Sequence, residues 1–454
     1  MNEKIMIIGG GRSGIAAASF LKKKHIDCCV YDIKTFEELK AQGFGIENIA
    51  NQPGIEFILG REIEKSDLYQ TTKMVVSPGV PLEAPPVIMA KELNIPIESE
   101  VEFAFSFCKG KIIGVTGTNG KTTVTSLLGS IFKEFQAETY VGGNIGDAFI
   151  NYAEKGSSSS TYILELSSFQ LALAQHFKPD VAVFTNITPD HLDRHKTMEN
   201  YILAKTNIFR NQTSEDYLIL NYDDLTVRSF KDKSLSKTLY YTATDNDKCN
   251  AYLKDESIYI KIADEAKILL SRADLKLYGL HNVANIMAAT LAAIVSGVDI
   301  LTVQNAIKDF SPVENRIEYV DTVKGVDFIN DSKGTNPEAT MIAIEAMTKP
   351  IILFLGGKDK QSDFDALFQL ISQKVKHTII LGETASKIIS SAEAAGYKNY
   401  TKVENYHEGM KKAVELAVPG DVVLLSPACA SWDMFESYEQ RGKLFKKLVK
   451  DLKK

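Results

Sequence analysis

Cysteine is scarce in this chain: five residues among 454, an odd number, with no pair at zinc-finger spacing. Cys28 and Cys29 are adjacent in "DCCVYD", which reads as a strand, where small buried thiols are common. Reduced, structural cysteines of a cytoplasmic protein are expected. Long apolar runs are missing too. "VANIMAATLAAIVSGV" is interrupted by Asn285 and falls short of a membrane span, so it reads as an Ala-rich buried helix and no membrane insertion is expected. The N-terminal "MNEKIMIIGGGRSG" has too short an apolar run for a signal peptide, and its glycines point to a strand-turn. There is no basic excess: the net charge is −6, which disfavours a nucleic-acid partner. What remains, 44% hydrophobic and 24% charged residues, is the composition of a soluble globular protein. The length suggests about three domains, and is compatible with a monomer.

One local pattern occurs three times. "KIMIIGGGRSG" begins at Lys4, "KIIGVTGTNGKTT" at Lys111 and "PIILFLGGKDK" at Pro350. Each is a short apolar run bounded by glycine, as expected of a buried parallel strand feeding a turn. Helical patterns, "IAAASFLKKK" and "VTSLLGSIFKEF", follow the first two. The alternation predicts α/β architecture in three domains: an N-terminal Rossmann-like domain (1–108), a central P-loop domain (109–312) and a C-terminal Rossmann-like domain (313–454). The second boundary is placed where "FSPVENR" breaks a helical pattern with proline. "GSSSS", 156–160, reads as a surface turn.

In the first opening Gly9, Gly11 and Gly14 form G-x-G-x-x-G, and Asp32 ends the next strand about 20 residues on, where a ribose-binding acid would sit. A nicotinamide dinucleotide, another nucleotide diphosphate, or a turn without ligand all satisfy this pattern. In the second, Gly120, Lys121 and Thr122 match the end of a P-loop, but Val115 stands at its first-glycine position and Gly117 lies inside. The amides of Gly117, Thr118, Asn119, Gly120, Lys121, Thr122 and Thr123 can still cradle the phosphates of ATP, with Lys121 neutralising charge and Thr122 offering a hydroxyl to Mg²⁺. Glu165 ends the apolar strand of "YILELSSFQL", the place of a metal-binding acid. The loop of "NITPDHLDRH" adds His191 as a further candidate ligand.

"GTNGKTT", "GGNIG", "LELSSFQL", "NITPDHLDRH", "YILAKTNIF", "GLHNVANIMAA", "NRIEYV", "NDSKGTNPEAT" and "LLSPACASWDMFESYEQRG" together resemble the Mur ligases, which extend the peptide of bacterial peptidoglycan precursors. The resemblance spans all three expected domains in order. "DSKGTN" and "SPACASWDMF" look like the member that adds D-glutamate to UDP-N-acetylmuramoyl-L-alanine. It implies an ATP-dependent acid–D-amino-acid ligase of cytoplasmic cell-wall synthesis, and so of cell shape and division. The ATP γ-phosphate would pass to a substrate carboxylate, and the incoming amine would attack the acyl phosphate. Two Mg²⁺ ions are implied, with Thr122 and Glu165 at one and His191 at the other.

Lys205 matches a family lysine that reacts with CO₂, turning a cation into an anionic oxygen ligand. Lys121, His191 and Lys205 are thus the implied catalytic set. Asn282, with His281 as neighbour, would contact adenine, Arg316 the ATP phosphates and Asp331 the ribose. An ion pair of Arg316 with Glu314 or Glu318 is the simpler alternative. Gly11, Arg12, Ser13, Asp32, Ser77, Pro78 and Gly79 would surround uridine diphosphate, with Ile33 where a hydroxyl residue is often found. Asn144 would meet the muramoyl part, and Lys333, Thr335, Lys360, Ser431 and Tyr438 the D-glutamate. Lys358 adds a second cation of no evident role. Trp432 is read as core packing. Because the reacting groups come from different domains, the third is expected to swing onto the second. A P-loop switch acting on a protein partner, a ligase for another amino acid or a folate-like acceptor, and a nicotinamide oxidoreductase are the alternatives. The first leaves the N-terminal glycine loop unused and the last leaves "GTNGKTT" idle.

Overall fold

The computed structural model describes residues 4–135, 137–262, 265–277, 279–311 and 314–453. Pro312 and Val313, where the second boundary was placed, lie outside them. Three sheets organise the chain. The first contains β1 (Lys4–Ile8), β2 (Asp27–Asp32), β3 (Ile55–Leu59), β4 (Lys73–Val76) and β5 (Ile97–Ser99) in the order β3-β2-β1-β4-β5. All its pairings are parallel, with Ile7 opposite Val30 and Val75. The second contains β6 (Lys111–Thr116), β7 (Thr139–Gly143), β8 (Thr161–Glu165), β9 (Val181–Phe184), β10 (Tyr217–Asn221), β11 (Lys237–Thr242), β12 (Ala251–Lys254), β13 (Ser257–Ile262) and β14 (Glu265–Ser271). Their order is β14-β13-β12-β11-β10-β9-β6-β8-β7, parallel except where β13 meets its two neighbours. The third contains β15 (Glu318–Val323), β16 (Val326–Asn330), β17 (Ile351–Leu355), β18 (Val375–Ile380), β19 (Tyr400–Lys402) and β20 (Val422–Leu425). It runs β15-β16-β20-β17-β18-β19, antiparallel at β15–β16 alone.

Why the strands read as unbroken apolar runs is visible in where alternate residues go. Along β17, Ile351, Leu353 and Leu355 enter one core while Ile352 and Phe354 enter another across the sheet. In β1 the same division sends Ile5 and Ile7 one way and Met6 and Ile8 the other. Both faces are covered by helices, so neither can be polar. The Ala-rich run forms a helix, Leu280–Val295. Among the described residues no helix is long and apolar enough to cross a membrane.

By contact the chain divides into two compact units. One comprises 1–187, 197–271 and 284–307 and holds the first two sheets; the other comprises 188–196, 272–283 and 308–454 and holds the third. In the first unit a single hydrophobic core runs from β1 and its neighbours to Tyr162, Phe184 and Phe230 around the second sheet. The helix Glu100–Phe105 is the seam. Phe103 stacks edge-on with Phe20 of the first domain, and Phe105 with Phe177 of the second. Glu102, buried, accepts the amides of Gln175, His176 and Phe177 at 3.0, 2.8 and 2.9 Å. Glu100 accepts the Ile150 amide at 2.7 Å, while its other carboxyl oxygen is buried without a hydrogen bond. Burial pushes the Glu100 carboxyl up to about 7, against the single amide that favours the anion.

A raised carboxyl favours the fold in its protonated form. Its contribution is complete below the unfolded value near 4.5 and is lost as pH rises through about 7, on the order of 3 kcal/mol in all. Glu100→Gln, the neutral isostere, should therefore gain stability relative to wild type as pH is raised from about 5 to about 8. Denaturant midpoints across that range will show it; a stability difference independent of pH would contradict the assignment.

Candidate functional site

The first glycine loop is shaped by near-contacts that a side chain would block. Gly9 has φ +99°, and a Cβ on Gly14 would fall 1.8 Å from the Gly9 carbonyl oxygen, so the helix Arg12–Lys23 starts hard against β1. Asp32 holds this loop directly: one carboxylate oxygen accepts the Gly10 amide at 2.7 Å, the other the Lys34 amide at 3.0 Å. Beside it lies a cavity of about 850 Å³. Gly11, Arg12, Ser13, Asp32, Ser77, Pro78 and Gly79 all line it, and Gly143, Asn144 and Gln170 of the second domain close one side. Arg12 reaches across to the Gly146 carbonyl at 2.8 Å and lies 5.6 Å from the Phe44 ring centre. Ile33, 60% exposed, stands on the rim where a hydroxyl residue was looked for. The cavity's lining combines the glycine loop and the Arg12 guanidinium with the apolar side chains of Pro81, Pro85 and Met89.

The phosphate loop connects β6 to the helix Lys121–Glu134. Gly117 (φ +139°) and Gly120 (φ +88°) are irreplaceable here, since a Cβ would lie 1.9 Å from Thr185 Oγ1 and 2.4 Å from Asn285 Oδ1 respectively. Asn119 is fixed by its amide on Asn186 Oδ1 at 2.8 Å. Lys121 Nζ donates to the carbonyls of Gly117 and Thr118 at 3.0 and 2.7 Å. Thr122 Oγ1 donates to Glu165 Oε2 at 2.7 Å, and Asn144 Nδ2 donates to Glu165 Oε1 at 2.8 Å. Thr122, Thr123 and Glu165 are all buried. A hydroxyl and a carboxylate so placed are hard oxygen donors, a donor set that fits Mg²⁺.

Lys205 belongs to the helix Met198–Thr206 and is 2% exposed. Its Nζ donates to the Gly117 carbonyl at 2.6 Å and sits 4.9 Å from the ring centre of Tyr201, one turn earlier on the same face. Tyr201 OH in turn lies 3.1 Å from Thr118 Oγ1. Tyr201 and Gln170 were not singled out by sequence reasoning. The spacing of Tyr201 to Lys205, one helical turn, was the available signal.

The remaining site residues fall in the second unit. Asp190 is the centre of one group. Its carboxylate lies 3.6 Å from His191 Nε2 and 3.3 Å from Lys360 Nζ, and accepts Asn336 Nδ2 at 3.4 Å. Lys360 is also 3.5 Å from Thr335 Oγ1. His191 itself takes a left-handed backbone, φ +55°. Lys333 Nζ stands 5.3 Å from the Tyr438 ring centre, a cation–π contact. Ser431 is buried, its carbonyl accepting the amides of Met434 and Phe435.

In a third group Asp331 accepts Ser426 Oγ at 2.7 Å and the Ile317 amide at 3.2 Å. Burial pushes its carboxyl up to about 6 against the opposing Arg316 charge. Burial, with Arg316 second, pushes His281 down to about 4, so its ring is neutral at pH 7. Asn282 is buried. The ion pair of Arg316 with Glu314 or Glu318 does not form among the described residues: Lys446 pairs with both carboxylates, and Arg316 Nε is buried without a hydrogen bond. Trp432 is 65% exposed, not packed in the core, because its loop turns it outward past buried Ser431. Lys358 forms a surface ion pair with Glu383 at 2.8 Å.

Comparison with known proteins places the chain in a family. Family models match in chain order: the N-terminal domain of MurD-like Mur ligases over 3–99, the Mur ligase middle domain over 115–293, and the Mur ligase glutamate ligase domain over 315–429. UDP-N-acetylmuramoylalanine–D-glutamate ligase of Clostridioides difficile is 44% identical over 452 residues, covering 99% of each chain. The enzyme of the same name from Alkaliphilus oremlandii is 42% identical over 453 residues, covering 100% of this chain and 99% of its own. In fold, UDP-N-acetylmuramate–alanine ligase of Thermotoga maritima superposes with a TM-score of 0.62 at 18% identity over 99% of both chains. MurF ligase of the same organism, solved with ADP, gives 0.58 at 17% identity over 85% of this chain and 92% of its own. With three domain matches in series and full-length relatives above 40% identity, the chain belongs to the Mur ligase family.

Proposed function

We propose that this protein joins D-glutamate to UDP-N-acetylmuramoyl-L-alanine with cleavage of ATP, a step of peptidoglycan precursor synthesis in the bacterial cytoplasm. The full-length likeness to ligases of that name supports it. One observation of geometry carries it. Asn144 lines the cavity beside the glycine loop, and the Glu165 carboxylate that it holds is also held by Thr122 of the phosphate loop. A molecule seated in that cavity therefore has its far end delivered to the nucleotide phosphates.

The chemistry follows from what a carboxylate lacks. It is a poor electrophile, so the terminal phosphoryl of ATP is transferred to the alanyl carboxylate, giving an acyl phosphate with a good leaving group. The D-glutamate amine attacks the acyl carbon, loses a proton, and inorganic phosphate departs as the amide forms. On this reading residues 1–108 hold the UDP part through Gly11, Arg12, Ser13, Asp32, Ser77, Pro78 and Gly79. Residues 109–312 hold ATP through 117–123 and Asn282, and residues 313–454 hold D-glutamate through Lys333, Thr335, Lys360, Ser431 and Tyr438. Arg316 and Asp331 serve the nucleotide.

Lys121 turns from its own loop carbonyls to the β- and γ-phosphates. Thr122 and Glu165 would hold one Mg²⁺, and His191 and Lys205 are the candidate ligands for a second. When bound, these ions offset the charge that accumulates on the transferring phosphoryl group. Lys205 suits that role only as a carbamate, formed when its amine adds CO₂ and loses a proton. A buried ammonium against a carbonyl offers no oxygen to a metal, whereas a carbamate offers two.

Four measurements test this. Phosphate release should require ATP, UDP-N-acetylmuramoyl-L-alanine and D-glutamate together, and L-glutamate should not replace the D-isomer. With the alanyl carboxyl labelled, one ¹⁸O should appear in the released phosphate; label confined to the product would exclude the acyl phosphate. Lys205→Ala should lose at least about a hundredfold in rate, the scale of removing a charged group from a phosphoryl-transfer site. Short carboxylates such as acetate should restore part of it, and intact-protein mass should show about 44 Da on the wild-type lysine at high bicarbonate, the mass of added CO₂. A variant of undiminished activity would remove Lys205 from the mechanism.

A further inference from the structure

We propose that Arg441 is a positioning residue for the amino-acid substrate, a buried guanidinium that fixes the loops bearing Lys333 and Ser431 against each other. The inference rests on those loops forming the D-glutamate site. Arg441 lies on the helix Tyr438–Asp451 and is 0% exposed, the largest fully buried side chain among the described residues. Arginine is almost never so buried unless its donors are used. Here they are. Nε donates to Ser332 Oγ at 3.0 Å and one terminal nitrogen to the Ser332 carbonyl at 2.8 Å. The other donates to the carbonyls of Cys429 and Ala430 at 3.1 and 3.3 Å.

These partners are informative. Ser332 lies within "DSKGTN" and immediately precedes Lys333; Cys429 and Ala430 lie within "SPACAS" and immediately precede Ser431. The two stretches that distinguish a glutamate-adding ligase are thus tied by one side chain. Ser332 Oγ passes the tie on, donating to the Tyr438 carbonyl at 2.8 Å at the start of the same helix. Ala430 extends it to the third loop, exchanging backbone hydrogen bonds of 3.1 and 2.8 Å with Lys358, two residues before Lys360. Gly442 lets the helix come close enough, since a Cβ there would fall 1.8 Å from Asn315 Oδ1.

Simple packing does not require an arginine in this place, because burying a cation against neutral carbonyls incurs a desolvation cost that a leucine would avoid. What the guanidinium adds is a rigid planar fork whose donors reach two loops at once, which lysine's single ammonium cannot reproduce. Arg441 is fully buried and acts through Lys333, Ser431 and Lys360.

The full-length protein with Arg441→Lys, Arg441→Met or Ser332→Ala tests the assignment, using initial rates of phosphate release with each of the three substrates varied in turn. Thermal unfolding controls for folding. For the two Arg441 variants the KM for D-glutamate should rise about tenfold or more, the scale of one or two lost charge-assisted hydrogen bonds, with the KM values for ATP and the UDP-substrate within about twofold of wild type. Ser332→Ala, which removes one of the guanidinium's four hydrogen bonds together with the tie to the Tyr438 carbonyl, should raise the same KM by a smaller factor. An unchanged D-glutamate KM in any folded variant, or an equal rise in all three KM values, overturns the proposal. Wild-type phosphate release indifferent to D-glutamate would instead sink the reading of the site on which it rests.

Discussion

A carboxylate only 1% exposed must be satisfied by its neighbours, and Glu165 is satisfied from two directions at once. Thr122 reaches it from the phosphate loop and Asn144 from the wall of the cavity beside the first glycine loop. The carbonyl of the same residue accepts the Asn144 amide at 2.8 Å, so the loop after β7 is bound to the end of β8 by main chain and side chain together. Glu165 ends β8 in register with Val115 of β6, the strand that feeds the phosphate loop, and with Gly143 of β7, so the carboxylate on which both neighbours converge is placed by the sheet. Remove that carboxylate and the phosphate loop and the cavity lose their shared reference point.

Much of this was legible in the sequence because it depends on local rules. Apolar runs ending in glycine announced parallel strands at 4, 111 and 350, and the structure places β1, β6 and β17 there. Glycine is needed at 117 and 120 for reasons of φ and of space, which is why the loop could be found despite Val115 at the position of its first glycine. The seven residues assigned to uridine diphosphate line one cavity, an outcome that the glycine pattern alone left open between ligands.

What was not legible depends on neighbours distant in sequence. Arg316 had acidic residues two away on either side, yet Lys446, more than a hundred residues later, takes them both. Trp432 was assigned to the core on residue type, but type does not say which way a tight loop faces, and the side chain is outside. Asp32 was read as a ligand contact, and its carboxylate is also engaged in holding the glycine loop itself, a duty that no spacing rule reveals. Tyr201 was missed although its one-turn spacing from Lys205 was a signal, because that spacing alone does not tell a packed tyrosine from one whose hydroxyl meets Thr118.

The seam at residues 100–105 has a bearing on how such proteins can be recombined. Phe105, Glu102 and Glu100 dock on Phe177, the amides of 175–177 and the amide of Ile150, the first two from a loop and the last from the start of the helix Ile150–Ala153 in the neighbouring domain. A chimera that exchanged the N-terminal segment for that of a sister enzyme would cut through a continuous hydrophobic core and present new side chains to a socket shaped for the old ones. For such a graft to fold, the stretches around 146–154 and 175–177 would have to be transplanted with it, so the heritable module here is the pair of domains and not either one.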